Sequence, residues 1–376
     1  MKKIMFLTGT RADYGKIKSL MKTVHDSDDF DLLIFVTGMH MLSKYGSTWK
    51  EIEKDGFTNT YHYINQKINS HMDIALSNTI LGLSNYVHEY KPDMIVVHGD
   101  RIEALAGAMV GALNNIKVAH IEGGEVSGTI DESIRHAVTK FSHFHFVSNE
   151  EAKKRIMQLG EPEDSIFIIG SPDIDIMMSE ELPTLAEVQK KYEISFQDYG
   201  VVMFHPVTTE VDQLRENVKE VVDALLASNL NYVVIYPNND EGSSIILNEY
   251  ERLLNNQCFK IYPSMKFEYF LTLLKYSKFM VGNSSAGVRE TGIYGIPAID
   301  IGNRQNGRYN LKDSKNIIHV TENKDEILEA IGKIDQLKSY NQSFGIGNSD
   351  QKFFEVINNE QIWGCKIQKS FVDVAY

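Results

Sequence analysis

Between residues 98 and 145 the carboxylates Asp100, Glu122 and Asp131 lie among His98, His120, His143 and His145 and beside Arg101. Acids that exchange protons, histidines that hold them and an arginine that meets negative charge together suit acid/base chemistry on an anionic substrate. His98-Gly99-Asp100-Arg101 follows the apolar run Met94-Ile95-Val96-Val97. His120-Ile121-Glu122-Gly123-Gly124-Glu125-Val126-Ser127-Gly128-Thr129-Ile130-Asp131 follows Lys117-Val118-Ala119. Short apolar runs that end in Gly-rich polar turns are the pattern of buried parallel strands, and ligands of such sheets bind outside the strands' carboxyl ends. Neither helix propensity nor surface solvation puts a Glu between a strand and Gly123-Gly124, so Glu122 is read as functional. His120 lies two residues before it, and the two share a side wherever extended geometry persists. Ordinary readings stand beside the others. Asp100 equally caps a helix from Arg101 to Leu113, Asp131 equally caps a helix or pairs with Arg135, and one of His143 and His145 is a satisfied core histidine.

The elements that must position these residues alternate in type. Lys3–Leu7 is expected as a strand turning through Thr8-Gly9-Thr10-Arg11-Ala12-Asp13-Tyr14-Gly15 into a helix. That turn lacks the GxGxxG spacing of a dinucleotide site, which disfavours a nicotinamide enzyme. Leu32–Val36 is a second strand, Met72–Tyr90 has helical apolar spacing, and strand and helix then alternate through His98, His120 and His145. A helix over Asn149–Leu159 and a strand at Ile166–Ile169 complete a doubly wound α/β domain, residues 1–181. The polar stretch 182–198 is expected as a linker. Residues 199–376 form a second α/β domain, with strands at Val201–Phe204, Tyr232–Ile235, Phe259–Tyr262, Phe279–Val281 and Pro297–Asp300. Its final helical segment is expected to have the option of packing back on the first domain. Two such domains facing a cleft make that cleft the expected ligand site.

In the second domain Gly282-Asn283-Ser284-Ser285-Ala286-Gly287 lies between a strand and a helix, with Arg289, Glu290 and Arg304 following. Small residues let backbone N–H groups approach a phosphate, although an Asn/Ser cap with a packing glycine has the same residues. His205-Pro206 and Tyr236-Pro237-Asn238 end two further strands, where proline stops the ladder and leaves His205 and Asn238 at the strand mouth.

Bulk properties narrow the class. The 376 residues exceed one modest core, and 43% hydrophobic with 24% charged residues is ordinary for a globular protein. A net charge of -13 argues against a general nucleic-acid or membrane-surface binder. Cys258 and Cys365 form no metal or redox spacing, and the histidines have no zinc-site spacing, so a cytoplasmic protein without bound metal is expected. Nothing approaches the roughly 20 apolar residues of a membrane span.

At these motifs the sequence resembles the UDP-N-acetylglucosamine 2-epimerase family. It is most similar to the hydrolysing branch that makes N-acetylmannosamine for bacterial sialic acid and capsule, and to the epimerase half of the bifunctional animal enzyme. The resemblance runs through Thr8–Asp13, His98–Arg101, His120–Asp131, Ser133–His136, His205–Thr209 and Gly282–Glu290. It implies a GT-B-like α/β fold of two Rossmann-like domains, UDP-N-acetylglucosamine as partner, a homo-oligomer (dimer or tetramer), and no metal or organic cofactor. It further implies that Asp100, Glu122 and Asp131 do the proton work with His120 and His145 as supports. Arg11, Arg101, His205, Asn238, Ser284, Ser285, Glu290 and Arg304 would hold the UDP-sugar. A GT-B glycosyltransferase and a hydrolysing epimerase of a UDP-diacetamido-trideoxy sugar stay open as alternatives.

Overall fold

The apolar runs become two all-parallel sheets. The computed structural model describes residues 1–127, 129–307, 309, 314–337, 340, 345 and 347–373. In the first sheet the strands are β1 (Lys2–Thr8), β2 (Phe30–Val36), β3 (Thr60–His62), β4 (Met94–His98), β5 (Lys117–Ile121), β6 (Phe144–Val147) and β7 (Ile166–Ile168). In the second they are β8 (Gly200–Met203), β9 (Tyr232–Ile235), β10 (Phe259–Tyr262), β11 (Phe279–Gly282), β12 (Ala298–Ile301) and β13 (Ile317–Val320). The strand orders are β3-β2-β1-β4-β5-β6-β7 and β10-β9-β8-β11-β12-β13. Each is a doubly wound order whose direction reverses once, between β1 and β4 and between β8 and β11, and such reversals are where ligands bind.

Helices cover both faces of each sheet, so the strands are buried on alternate sides. In the first sheet Ile4, Phe6, Ile34, Val36, Val96 and Ile121 enter one core, while Met5, Leu7, Leu33, Phe35, Ile95 and Val97 enter the other. This period-two division explains why the strands read as continuous apolar runs rather than as alternating ones. The helix Ile102–Leu113 lies so close to β4 and β5 that a Cβ on Gly107 would come within 2.6 Å of Val97 and one on Gly111 within 2.4 Å of Val118. Only glycine allows that approach.

Two strands lie outside the expected set. β3 has three residues at the sheet edge and no apolar run; β13, Ile317–Val320, is a short apolar run interrupted by His319 and buried only at its two ends. Residues 182–198 also differ from the expected linker. They lie within the second unit, and Leu185–Lys191 is helical. Thr184 caps that helix, and the Glu187 carboxylate returns to the Thr184 N–H at 2.8 Å. This reciprocal cap and the fully buried Val188 organise a stretch that is polar overall.

The first unit comprises residues 1–125 and 131–179 together with the described residues from 345 onward. The second comprises the described residues of 126–130 and of 180–342. The late helix Ser349–Ile357 thus belongs to the first unit, where Phe353 is fully buried with its ring 4.8 Å from Phe146 and 6.2 Å from Phe6. Asp175 fixes its start by accepting from the backbone N–H groups of Ser349 and Asp350, each at 3.0 Å.

Candidate active site

In the first unit Asp100 and Glu122 follow the ends of β4 and β5, close to the sheet reversal. The chain leaves β5 at Ile121, and Glu122 adopts a left-handed conformation with φ +62°. A non-glycine residue held there costs on the order of 1–3 kcal/mol and persists only when its surroundings fix it. They do: the Glu122 N–H donates to the Phe146 carbonyl at 2.9 Å, and its carbonyl accepts from Arg135 at 2.5 Å. The extended geometry that would align His120 with Glu122 therefore ends one residue too soon. His120 turns instead to the Gly99 carbonyl (2.8 Å) and the Thr139 hydroxyl (3.3 Å).

Arg135, on the helix Ile130–Phe141, is 5% exposed and also bonds the Asp100 carboxylate. Asp100 is therefore an ion-pair partner rather than the cap of the following helix, whose N-cap is Arg101 with no side-chain bond. Asp131 stands in the first turn of the Arg135 helix, partly exposed. The buried Glu122 carboxylate takes the Ser171 hydroxyl on one oxygen and faces His98 Nε2 at 3.2 Å with the other. His98 Nδ1 is 2.9 Å from Asp13. Asp13, outside the residues expected to act, lies 85 residues from His98, and only the pairing of β1 with β4 brings the two together.

The other expected residues of this unit lie elsewhere. His145 is fully buried but faces Glu161 at 3.3 Å, and Lys140 and Lys369 reach the same carboxylate at 2.6 and 2.5 Å. Burial pushes the Glu161 carboxyl up, but these three partners outweigh it and hold the group down at about 2. His143 is the satisfied core histidine: it accepts from the Val118 N–H at 3.1 Å and meets the Ile367 carbonyl at 2.9 Å. Arg101 pairs with Glu103 at 3.2 Å, and Arg11 with Glu51. Among the described residues no three His, Cys, Asp or Glu side chains are disposed to hold a metal ion.

Burial sets the charge of two further histidines. His40, bonded to Thr8 and Thr48, and His120 are both driven by desolvation from 6.5 to about 3. Their folded pKa values lie below the unfolded ones, so the stability they contribute is present above pH 6.5 and is lost as pH falls from 6.5 towards 3. His98 has the opposite sign. Its folded value is about 9, so its contribution is present below 6.5 and is lost as pH rises through 9. The expected outcome is a stability maximum near neutral pH with the steeper fall on the acid side, about 1.4 kcal/mol per pH unit for each histidine titrating. Both tryptophans, Trp49 and Trp363, lie in the first unit. Urea midpoints followed by their fluorescence from pH 4 to 9.5 test this, and a flat profile between 6.5 and 4.5 contradicts it.

In the second unit the ends of β8, β9 and β11 are laced together. Asn283, 1% exposed, accepts from the His205 N–H at 2.7 Å and donates to the His205 carbonyl at 2.9 Å. The His205 ring in turn accepts from the Asn238 N–H at 3.0 Å. The Asn283 carbonyl takes Arg304 at 3.2 Å and Gln305 at 2.8 Å, so one asparagine ties His205, Asn238 and Arg304 together. Its place directly after a buried strand was the signal available for it. Gly282 lets the turn form: its φ is +140°, and a Cβ there would meet the Met203 carbonyl at 2.0 Å. Beyond the buried Ser284 the chain makes a 3-10 turn, Ser285–Gly287, and only then the five-residue helix Glu290–Tyr294, with Glu290 2% exposed. The helix expected after the Gly-Asn-Ser-Ser turn thus begins only at Glu290, after the 3-10 turn. A helix of five residues offers little dipole at this turn, so what the turn presents is its backbone N–H groups and side chains.

Two Rossmann-like α/β units in one chain are the GT-B-like class of fold. A crystal structure of a UDP-N-acetylglucosamine 2-epimerase from Neisseria meningitidis bound to UDP-N-acetylglucosamine has that fold, with a TM-score of 0.80 and 18% identity over 94% of this chain and 99% of that one. Residues 22–358 match the family described as UDP-N-acetylglucosamine 2-epimerase, and the chain belongs to that family. It is 46% identical to a UDP-N-acetylglucosamine 2-epimerase of Neisseria meningitidis serogroup B, over the whole of both chains. It is 34% identical to the hydrolysing UDP-N,N'-diacetylbacillosamine 2-epimerase of Legionella pneumophila, over 95% of this chain and 96% of the relative. Among the described residues no helix is long and apolar enough to cross a membrane.

Proposed function

We propose that the chain is a hydrolysing UDP-N-acetylglucosamine 2-epimerase that converts UDP-N-acetylglucosamine and water to N-acetylmannosamine and UDP, supplying sialic acid biosynthesis in the cytoplasm. The proton on sugar carbon 2 is not adjacent to a carbonyl, so a carboxylate cannot simply remove it. Breaking the bond from carbon 1 to the UDP oxygen first leaves an oxocarbenium-like centre beside which that proton is acidic. A carboxylate takes the proton, the C–H electron pair forms the double bond of 2-acetamidoglucal, and UDP leaves with the former bond pair. Water then adds its oxygen to carbon 1, and carbon 2 receives a new proton from the opposite face. Such a sequence needs acids that act at different times and groups that stabilise departing diphosphate.

The observation that carries this reading is Arg135, one buried guanidinium that bonds both the Asp100 carboxylate and the Glu122 carbonyl. It ties the Asp100 carboxylate to the backbone of Glu122, residues that follow the ends of separate strands. In this reading Asp100, Glu122 and Asp131 exchange the protons, with His120 as a support through Gly99. His145, directed to Glu161, acts on the fold rather than on the acids. Arg11, Arg101, His205, Asn238, Ser284, Ser285, Glu290 and Arg304 hold the UDP-sugar, with Glu290 suited to ribose hydroxyls. The 34% identity to a diacetylbacillosamine epimerase favours one alternative substrate, the corresponding UDP-diacetamido-trideoxy sugar.

The test is turnover of both UDP-sugars in deuterated water, followed by NMR. Free N-acetylmannosamine with deuterium at carbon 2, and one UDP per sugar, is expected from UDP-N-acetylglucosamine. A product still joined to UDP would make the enzyme a non-hydrolysing epimerase. Protium retained at carbon 2 would exclude the elimination route.

A further inference from the structure

Asp13, His98 and Glu122 form a line through one imidazole that the three-acid scheme does not use. Asp13 is fixed at the start of the helix Arg11–His25. Its Oδ2 accepts the Gly9 N–H at 3.0 Å, and its own N–H donates to the capping Thr10 hydroxyl at 3.0 Å. Its other oxygen takes His98 Nδ1 at 2.9 Å, while the Glu122 carboxylate stands 3.2 Å from Nε2 as an ion-pair contact. A neutral imidazole has one N–H and one lone pair. With a carboxylate oxygen near each nitrogen, the neutral ring would turn a lone pair towards an anion; only the doubly protonated ring sets positive charge against both, as a hydrogen bond to Asp13 and an ion-pair contact with Glu122.

We propose that His98 is a standing imidazolium, clamped by Asp13, that positions the Glu122 carboxylate and keeps it ionised, so that Glu122 enters the reaction as a base. This role rests on the function proposed above. The charges around the line agree with it. Burial alone would pull His98 down, but its two carboxylates outweigh that and raise it to about 9. On the Asp13 side, His40 is held neutral and Arg11 is paired with Glu51. On the Glu122 side, Ser171 donates a hydroxyl, His120 is held neutral, and Arg135 spends its charge on Asp100 and the Glu122 carbonyl. Among these groups the charge facing Glu122 Oε2 is therefore that of His98. Burial pushes the Asp13 carboxyl up, yet His98 holds it below the ordinary range, as expected for a partner that carries a proton.

The decisive experiment needs no substrate. Histidine-labelled full-length protein, free of ligand, is titrated by long-range ¹H–¹⁵N NMR, with His98 assigned from the His98→Gln spectrum. Both His98 nitrogens are expected in the protonated range at pH 7.5, with loss of the proton near pH 9 and at lower pH in Asp13→Asn. A neutral His98 at pH 7.5 overturns the proposal whatever the enzyme's substrate. Kinetics then test the action through Glu122. His98→Gln should lower kcat by about 10²-fold with UDP affinity changed less than twofold. The acid limb of kcat/KM should move up by about one pH unit, because the glutamate anion has lost its cation. Asp13→Asn covers the case in which His98→Gln fails to fold: the acid limb should stay, and the alkaline limb, where the His98 cation is lost, should move to lower pH with the NMR titration. An unmoved acid limb in folded His98→Gln, or an unmoved alkaline limb in Asp13→Asn, refutes the role, whereas a wild-type protein that turns over no UDP-sugar refutes the proposed function and leaves the NMR result standing.

Discussion

Replacing Glu122 by Gln or Asp131 by Asn is expected to uncouple the two halves of the reaction, so that UDP and 2-acetamidoglucal appear where wild type yields N-acetylmannosamine. Elimination and hydration move protons at different times, and the acids need not serve both equally. Both residues flank the Gly-rich turn between β5 and the helix Ile130–Phe141, away from the apolar packing of either core. An amide keeps the size of the side chain and much of its hydrogen bonding, including the Ser171 contact at Glu122. What it cannot do is exchange a proton as a carboxylate does, so the change tests chemistry more than packing. General acid–base groups contribute about 10²–10⁴-fold, which leaves residual turnover measurable by NMR over hours. The expected record is UDP release in excess of N-acetylmannosamine, with the difference recovered as glucal. If every sugar released by both variants is N-acetylmannosamine and no glucal is detected, the assignment of these acids to hydration is wrong.

Arg135→Met should be the most destabilising single change in the first unit. The guanidinium is buried, and its removal leaves the Asp100 carboxylate and the Glu122 carbonyl without the donor that faces them. Breaking a buried pair by deleting one partner typically costs about 3–5 kcal/mol, because the remaining charge stays desolvated. The Glu122 carbonyl bond also secures a left-handed residue, so the loss extends to the geometry of the turn. Lysine cannot replace the fork, since a single ammonium does not match two acceptors in fixed directions. Asp100→Asn in the Arg135→Met background should restore more than half of the lost stability by removing the stranded charge, without restoring activity. Urea unfolding followed by Trp49 and Trp363 fluorescence measures both effects. A single variant with an unchanged midpoint would show that Arg135 is dispensable to the fold, and an unrestored double variant would show that the cost lies in packing instead.

The strands that build both sheets were legible in the chain because parallel strands covered on two faces are continuous apolar runs, a local property. The polar turns that follow them were legible for the same reason: a run such as Met94–Val97 must end where Gly99 and Asp100 begin, and the ligand side of the sheet follows from that. Glu122, Asp131 and the Gly282–Ser285 turn were thereby singled out from one dimension. Which residues meet was decided by the tertiary structure. Asp100 looks like a helix cap until the helix Ile130–Phe141 returns Arg135 to it, and Asp13 looks like an ordinary first-turn acid until β1 and β4 pair and place His98 beside it. His145 resembled a support for the acids, yet the two lysines and Glu161 that surround it come from three separate stretches, one of them at Lys369. Composition records whether a segment is buried, since burial is a matter of each residue's own transfer from water. It does not record partners, since hydrogen bonds and ion pairs depend on distances of about 3 Å between groups far apart along the chain. Those distances exist only once the sheets have closed.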